Sequence, residues 1–242
     1  MENAPKSVRR DFSNVSAWIF DLDNTLYPPE SYLWPQVDER ITRYLAEFFG
    51  IDGQSSRMLQ KYYYQRYGTT LSGLMDNYVV DPHHFLDFAH RIDYERLIPN
   101  PSLKEALEGL RGRKFILTNG SLEHANRVSD KLGIRTYFDG VFSIADSEFI
   151  PKPDRSVYER FLERYGIEPT RAAMFEDVAK NLLIPSDMGM ITVLVLPQTV
   201  DPFRELHEQS PVDEPHVHYI TRDLPAFLQD VSTVPLERKD QK

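Results

Sequence analysis

Residues 19–30 read IFDLDNTLYPPE, so an apolar run ends directly on Asp21 and Asp23 with one leucine between them. In an extended strand, alternate residues lie on the same side, which predicts that Asp21 and Asp23 point one way and Leu22 the other. Neighbouring carboxylates repel each other, and burying them costs several kcal/mol unless they are paired or bound to a metal. We therefore expect a metal ion or a positively charged group beside this pair.

Apolar runs of this kind recur along the chain, and amphipathic segments separate them. The runs are VSAWIF at 15–20, KFILTNG at 114–120, GVFSIAD at 140–146, AAMFED at 172–177, ITVLVLP at 191–197 and VHYI at 217–220. Helices are predicted at 102–111, 121–132 and 154–165, and Gly133 and Gly166 follow the last two. Alternating helices and near-continuous apolar strands are typical of a Rossmann-like α/β core, a parallel sheet flanked by helices.

The stretch from about Ser31 to Ile98 breaks this alternation, because it shows helical periodicity and no convincing strand. Two helical patterns end near Gly50 and Gly68, and a third begins at Asp81, a good N-cap residue before a proline. The pattern predicts an all-helical cap domain at 31–98, inserted into an α/β core domain formed by 1–30 and 99–242.

Composition and charge narrow the class of protein. With 242 residues, 41% of them hydrophobic, the chain can form a sizeable core, yet it has no run of about 18 apolar residues that would predict a membrane span. The first fifteen residues lack the apolar stretch of a signal peptide, and the chain has no cysteine, which together favour a cytoplasmic protein. A net charge of −9 argues against a nucleic-acid polymer as partner, and it means that an anionic substrate needs local positive charge.

Polar side chains stand where the predicted strands end. The first strand ends on Asp21 and Asp23, and the fourth ends on Glu176 and Asp177. Because the carboxyl ends of parallel strands meet at one edge of a sheet, these carboxylates are expected to converge. A cluster of carboxylates without cysteine or histidine offers hard oxygen ligands, which suit Mg²⁺.

The same edge is predicted to hold groups that bind phosphate. Lys152 stands between two prolines in IPKPD at 150–154, and the prolines restrict the backbone that presents it. The second strand ends on Thr118, Asn119 and Gly120, whose hydroxyl and backbone N–H groups can donate to phosphate oxygens near the start of the next helix. The local positive charge that an anionic substrate needs is therefore assigned to Lys152 and a metal ion.

Four segments resemble the four motifs of the haloacid dehalogenase superfamily, in that family's order. They are DLDNT at 21–25, LTNG at 117–120, PKPD at 151–154 and FEDVAKN at 175–181. The predicted helical insertion is similar to the cap that subfamily I carries between its first two motifs. The flanking segments DLDNTLYPP, TNGSLEHA and YGTTLSGL look most like the pyrimidine 5′-nucleotidase branch.

The resemblance implies a role for each matched residue. Asp21 would be the nucleophile that forms an aspartyl-phosphate, and Asp23 would protonate the leaving hydroxyl and then activate water. Thr118, Asn119 and Lys152 would hold the phosphoryl oxygens.

The resemblance also implies a Mg²⁺ site. Its ligands would be the Asp21 and Asp177 side chains and the main-chain carbonyl of Asp23, with Glu176 nearby, and Asn181 would orient Lys152 or a metal-bound water. The chain departs from the family pattern at Val178, where serine or threonine is more usual, and at Pro185 in the following helix.

The expected activity is Mg²⁺-dependent hydrolysis of a small phosphomonoester, with a pyrimidine nucleoside 5′-monophosphate as the preferred substrate. Asp23 favours a phosphate ester over a haloacid, because a halide leaving group needs no proton. Alternatives are a phosphatase for phosphoglycolate or a sugar phosphate, a phosphomutase, and a catalytically silent binding protein of the same fold. The partner is a small molecule rather than a nucleic acid polymer or a membrane, and the protein is expected to be a monomer or a homodimer.

Two further patterns are interpreted structurally. His83, His84 and the HVH segment at 216–218 are predicted to be surface residues, because no ligand partner lies at helical spacing from them. The KYYYQRY segment at 61–67 is predicted to pack in the cap core. We also consider that Tyr27, Tyr32, Tyr63 and Tyr67 face the active site and stack on a base.

Overall fold

The structure is a computed structural model that describes residues 11–198 and 214–232. Two sequence-based expectations concern other residues. Most of the first fifteen residues, where no signal peptide is predicted, lie outside the described residues, and so does the tail at 234–242, which the sequence predicts to be frayed.

The core contains a six-stranded sheet in which every neighbouring pair is parallel, with strand order β3-β2-β1-β4-β5-β6. The strands are β1 (Ala17–Phe20), β2 (Arg113–Leu117), β3 (Gly140–Phe142), β4 (Ala172–Glu176), β5 (Ile191–Val195) and β6 (Tyr219–Thr221). Each of the six apolar runs forms one of them. β1, β4 and β5 are buried along their whole length, because helices cover both faces of a parallel sheet.

The described residues contain nine α-helices. They are α1 (Leu33–Phe49), α2 (Gly53–Tyr67), α3 (Thr70–Asn77), α4 (Pro82–Ala89), α5 (Pro101–Gly109), α6 (Leu122–Leu132), α7 (Arg155–Tyr165), α8 (Leu183–Asp187) and α9 (Leu224–Ser232). The three helices predicted for the core are confirmed as α5, α6 and α7. None of the nine is both long and apolar enough to cross a membrane.

Two apolar layers pack on the sheet, one on each face. Phe20 and Phe175 lie in one layer with side chains of α5, α6 and α9, and Ile19 and Met174 lie in the other with side chains of α7. Neighbouring strand residues therefore alternate between the two layers, as the pleat of a strand requires. This three-layer arrangement is the predicted Rossmann-like α/β core.

Helices α1 to α4 lie between β1 and β2 in the chain and form a helical insertion, defined here as Leu33–Ala89. Their buried side chains form a third apolar cluster, which includes Leu45, Tyr63 and Leu74. Asp81 caps α4 by accepting from the His83 backbone N–H at 2.9 Å, as predicted. Helix α3 was not predicted, because eight residues are too short to show a clear helical period.

The histidines divide into two groups. His83 and His84 are exposed, as predicted. The prediction is wrong for the other pair, since His216 and His218 are half-buried and hydrogen-bonded. The His216 ring donates from Nε2 to the Ala179 carbonyl at 2.8 Å, and Nδ1 of His218 accepts from the Thr192 backbone N–H at 3.0 Å. One ring therefore satisfies a backbone group just after β4, and the other satisfies a backbone group of β5.

Gly73 provides a test of packing in the helical insertion. A methyl group on Gly73 would lie 2.5 Å from Cδ1 of the Tyr63 ring, which is closer than packed atoms approach. We expect Gly73→Ala to lower the unfolding free energy by about 1–3 kcal/mol, because the buried ring must move. The measurement is urea unfolding. Gly53→Ala is the control, since a methyl group there meets nothing within 4 Å. Equal stability of both variants would contradict the packing described here.

Candidate active site

The ends of the three central strands bring polar residues together. The Asp21 backbone N–H donates to the Phe175 carbonyl at 2.9 Å, and that of Thr118 donates to the Phe142 carbonyl at 3.0 Å. Sheet hydrogen bonding therefore continues one residue beyond β1 and β2 and fixes the backbone of both residues. Asp21 and Asp23 line one cavity, whereas Leu22 is fully buried in the core, so the side chains separate as the alternation predicts.

Lys152 is the positive charge at the centre of the site. It is only 3% exposed, and its ammonium donates to Asp21 Oδ1 at 2.6 Å, Glu176 Oε1 at 2.8 Å and the Leu117 carbonyl at 3.0 Å. All three donor positions of the ammonium are therefore used. The loop after β3 carries this residue, so the third and fourth motifs meet at one ion-paired cluster.

Burial sets the protonation of this cluster. Burial raises the pKa of Asp21, the charge of Lys152 opposes the rise, and the charges of Glu176 and Asp23 add to it, which brings the pKa to about 7. Burial alone would lower the pKa of Lys152, but the charges of Asp21 and Glu176 outweigh burial and raise it above its ordinary value. The ammonium therefore stays charged at neutral pH, and a cation beside Asp21 would favour the ionised carboxylate.

Three carboxylates lie close enough to share a metal ion. Asp21, Glu176 and Asp177 each place an oxygen within 4.8 Å of the others. This donor set of hard oxygens fits Mg²⁺. Oε1 of Glu176 accepts from Lys152 and, at 2.6 Å, from Asn181, and Oε2 accepts from the Val178 backbone N–H at 2.8 Å. Glu176 is thus held by three donors, and its place beside the direct ligands stays a prediction.

Asn181 contacts the same carboxylate as Lys152. Its Nδ2 donates to Glu176 Oε1, the oxygen that also accepts from Lys152. The amide and the Lys152 ammonium therefore share one carboxylate oxygen, and the expected role of Asn181, to orient Lys152 or a metal-bound water, stays a prediction. The departures at Val178 and Pro185 leave this arrangement intact, since Val178 contributes a backbone N–H and Pro185 is buried in α8.

The turn after β2 is ordered by hydrogen bonds of its own. The Thr118 hydroxyl accepts from the Gly120 backbone N–H at 2.9 Å. The Asn119 carbonyl Oδ1 accepts from the Lys152 backbone N–H at 2.8 Å, and its Nδ2 donates to the Lys152 carbonyl at 3.4 Å. The Asn119 side chain therefore fixes the backbone of Lys152.

Asp23 has partners that sequence reasoning missed. Its Oδ1 accepts from the Tyr27 hydroxyl and lies 2.8 Å from Nε2 of His124. Burial works to raise the pKa of Asp23, but the charge of His124 and the hydrogen bonds from His124 and Tyr27 outweigh burial and lower the pKa to about 2. His124 stands three residues after Ser121, the N-cap of α6, on the buried face of that helix. The position of His124 near the second motif could have drawn attention to this residue, although the sequence does not encode its contact with Asp23.

The cavity at the strand ends has a volume of about 170 Å³ and lies between the core and the helical insertion. The insertion contributes Trp34, Asp38, Gln60, Lys61, Tyr64, Thr69 and other side chains to its lining. The expectation for the tyrosines is wrong in part. Tyr27 contacts Asp23, but Tyr32 is exposed and Tyr63 packs in the third cluster, as the alternative interpretation of KYYYQRY predicts. Tyr64 lines the cavity instead.

The fold is shared with a solved hydrolase. The structure of L-2-haloacid dehalogenase from Xanthobacter autotrophicus matches with a TM-score of 0.56 and 18% identity, covering 91% of this chain and 100% of that one. In this chain, the parallel sheet holds convergent carboxylates at its strand ends. The chain belongs to the haloacid dehalogenase-like hydrolase family, whose model matches residues 15–184. The resemblance drawn from the four motifs is thereby confirmed at the level of the family.

Two curated relatives are similar in sequence. Phosphate metabolism protein 8 of Saccharomyces cerevisiae is 29% identical over 197 residues, which cover 74% of this chain and 61% of that protein. Phosphorylated carbohydrates phosphatase of Thermotoga maritima is 29% identical over 103 residues, which cover 41% of this chain and 47% of that protein. The chain thus spans less than two thirds of the length of either relative.

Proposed function

We propose that the protein is a Mg²⁺-dependent phosphomonoesterase that acts through an aspartyl-phosphate, with a pyrimidine nucleoside 5′-monophosphate as its preferred substrate. The observation that carries this proposal is the pair Asp21 and Asp23 at one cavity, with Lys152 buried against the first of them. The names of the two relatives, which refer to phosphate metabolism and to phosphorylated carbohydrates, support a phosphate ester as substrate.

In the first step, a carboxylate oxygen of Asp21 attacks the phosphorus atom and the ester P–O bond breaks. Asp23 donates a proton to the departing alkoxide, so the products are an alcohol and an aspartyl-phosphate on Asp21. Asp23 must hold a proton for this transfer, and the negative charge of a bound phosphoester raises its pKa from the low value of the free protein. Lys152 stabilises the added negative charge on the phosphoryl oxygens.

In the second step, Asp23 removes a proton from a water molecule, and the oxygen of that water attacks the phosphorus atom. The bond between phosphorus and the Asp21 oxygen breaks, which releases inorganic phosphate and restores both aspartates. Thr118 and the backbone N–H of Asn119 donate to the phosphoryl oxygens in both steps. Bound to Asp21 and Asp177, Mg²⁺ supplies positive charge that lets an anionic substrate approach a cluster of carboxylates.

Asp23 distinguishes this site from that of a haloacid dehalogenase. A halide leaves without a proton, so a general acid at this position has no use in dehalogenation. Here Asp23 is held by two donors, Tyr27 and His124, beside the cavity. The arrangement favours an alkoxide leaving group, as in a phosphomonoester.

The lining of the cavity supports a nucleoside as the leaving group. We assign residues 31–98 as a cap domain that covers the core domain of 1–30 and 99–242. Its Trp34 and Tyr64 offer aromatic faces to the cavity, and stacking on one base contributes about 1–3 kcal/mol. The polar side chains Asp38 and Gln60 at the same wall favour the alternative, a sugar phosphate, as the name of the Thermotoga maritima relative also does. The cytoplasmic location and the monomeric or dimeric state stay predictions.

Phosphate release from a panel of phosphomonoesters tests this proposal. The panel contains UMP, CMP, AMP, GMP, phosphoglycolate and sugar phosphates, with Mg²⁺ or with EDTA. We expect release from UMP and CMP to exceed the others, to require Mg²⁺ and to disappear in Asp21→Asn. Strong release from a sugar phosphate alone would exclude the nucleotide assignment. Transfer of phosphate without release would identify a mutase, and no turnover by folded, Mg²⁺-loaded protein would indicate a binding protein.

A further inference from the structure

A buried chain of hydrogen bonds leads from Asp23 to His124 and Tyr94. The His124 ring is 1% exposed, and its Nε2 lies 2.8 Å from Asp23 Oδ1. Its other nitrogen, Nδ1, lies 2.9 Å from the hydroxyl of Tyr94, which is itself 3.0 Å from the His90 carbonyl. Both edges of the imidazole are therefore fixed, and the His90 ring stacks on its face with the ring centroids 4.3 Å apart.

The two oxygens of Asp23 have different surroundings. Oδ1 accepts from the Tyr27 hydroxyl and faces His124, whereas the hydrogen bonds among the described residues include none to Oδ2. Oδ2 lies 3.8 Å from the position that a methyl group would take on Gly120, and the Thr118 hydroxyl lies 3.2 Å from that same position. Oδ2 thus faces the turn after β2, where the phosphoryl group is expected to bind.

We propose that His124 and Tyr27 are positioning residues, which hold Oδ1 of Asp23 so that Oδ2 is the atom that exchanges the proton with the leaving group. This inference rests on the proposed phosphomonoesterase activity. A carboxylate held at one oxygen by two donors cannot rotate about its Cβ–Cγ bond without breaking both hydrogen bonds. The folded protein therefore orients Oδ2 towards the leaving oxygen before the substrate binds, so that no further ordering of this carboxylate is required.

The test compares two substrates that differ in their need for a proton. An alkyl phosphomonoester releases a strongly basic alkoxide, whereas p-nitrophenyl phosphate releases a weakly basic phenolate. The quantity measured is kcat/KM, because it reports the steps up to departure of the alcohol. For His124→Leu we expect kcat/KM to fall about 10- to 100-fold on the alkyl ester and less than about 3-fold on the nitrophenyl ester. His124→Gln keeps a donor near the Nε2 position and is expected to recover part of the loss.

Tyr27→Phe is the second variant, because it keeps the buried ring and removes only the hydroxyl. In this variant, we again expect kcat/KM to fall more on the alkyl ester than on the nitrophenyl ester. His90→Phe is the packing control, since the His90 ring stacks on His124 but its Nδ1 lies 3.0 Å from the Ser121 hydroxyl and not at Asp23. His90→Phe is expected to change kcat/KM by the same factor for both substrates. If His124→Leu and Tyr27→Phe also lowered kcat/KM by the same factor for both substrates, the proposal would be overturned.

A measurement without substrate separates this inference from the proposed function. The ring N–H proton of His124 is expected to give a slowly exchanging downfield NMR signal, which is identified by its absence in His124→Gln. We expect this signal to shift in Asp23→Asn, since its partner changes. If wild-type protein cleaves no ester, the proposed function fails while the NMR result still reports the hydrogen bond. If the chemical shift of this signal were the same in Asp23→Asn as in the wild type, the positioning role would be excluded.

Discussion

Lys152→Met is expected to lower the unfolding free energy by about 3–5 kcal/mol at pH 8 in EDTA. With Mg²⁺ present, the same change is expected to abolish phosphate release. The ammonium is the shared partner of Asp21 and Glu176. Its removal leaves two buried carboxylates facing each other, and methionine fills a similar volume without supplying charge. Urea unfolding followed by circular dichroism gives the change in free energy.

The control for this experiment is an exposed lysine with the same kind of bond. Lys131 donates to Glu95 at 2.6 Å, but both side chains are more than a third exposed, so Lys131→Met is expected to cost at most about 1 kcal/mol. The double variant with Asp21→Asn should be more stable than Lys152→Met alone, since one unpaired carboxylate is gone. A loss below about 1 kcal/mol in Lys152→Met would show that the buried ion pairs do not stabilise the fold.

Asp21→Asn is expected to reduce kcat at least about 1,000-fold, because the amide cannot act as the nucleophile. The same change is expected to raise the melting temperature of Mg²⁺-free protein at pH 8. The pKa of Asp21 is raised to about 7 in the folded protein, from a reference value of 3.8. Stability from this carboxyl is therefore complete below about pH 4 and is lost as the pH rises towards 7, whereas asparagine does not titrate.

The measurement is the difference in melting temperature between Asp21→Asn and wild type, in EDTA, from pH 5 to pH 8. We expect the difference to grow with pH and to shrink when Mg²⁺ is added to both, since the cation stabilises the ionised wild-type carboxylate. Asp81→Asn is the matched control, because asparagine caps a helix as well as aspartate does and Asp81 is exposed. A difference in melting temperature that stays constant with pH would contradict the raised pKa of Asp21.

Much of the fold was predictable because the sheet is buried on both faces. The strand Ala17–Phe20 is apolar at every position, and Gly133 and Gly166 follow the last residues of their helices, as predicted. The four motifs were predictable for the same reason, since each follows a strand or its loop. Features that depend on how elements dock were not predictable. His124 meets Asp23 across 101 residues of sequence, and no local pattern encodes that contact.

Two adjacent tyrosines of α2 show that the sequence does not determine which side chain of a helix lines the cavity. Tyr63 and Tyr64 are neighbours, and successive residues of a helix differ by about 100° in direction. One of them is buried in the third cluster and the other lines the cavity. Sequence periodicity identifies a helix that has an apolar face, but the rotation of that helix about its own axis is set by packing partners such as Gly73 and Leu74. The residues of the insertion that line the cavity therefore had to be found from the structure.

The position of the helical insertion has a consequence for how this fold diversifies. The insertion follows β1 and returns to the core through α5, which leads into β2, and β1 and β2 lie side by side with Phe20 opposite Ile116. The length and sequence between β1 and α5 can change without shifting the register of any strand, because both elements are held in the core by their own packing. Chimeras that exchange this segment between relatives would therefore retain the aspartates and the lysine in place while presenting a different wall to the leaving group. Under the proposed function, the helical insertion would therefore determine selectivity, and the core would retain the residues for hydrolysis.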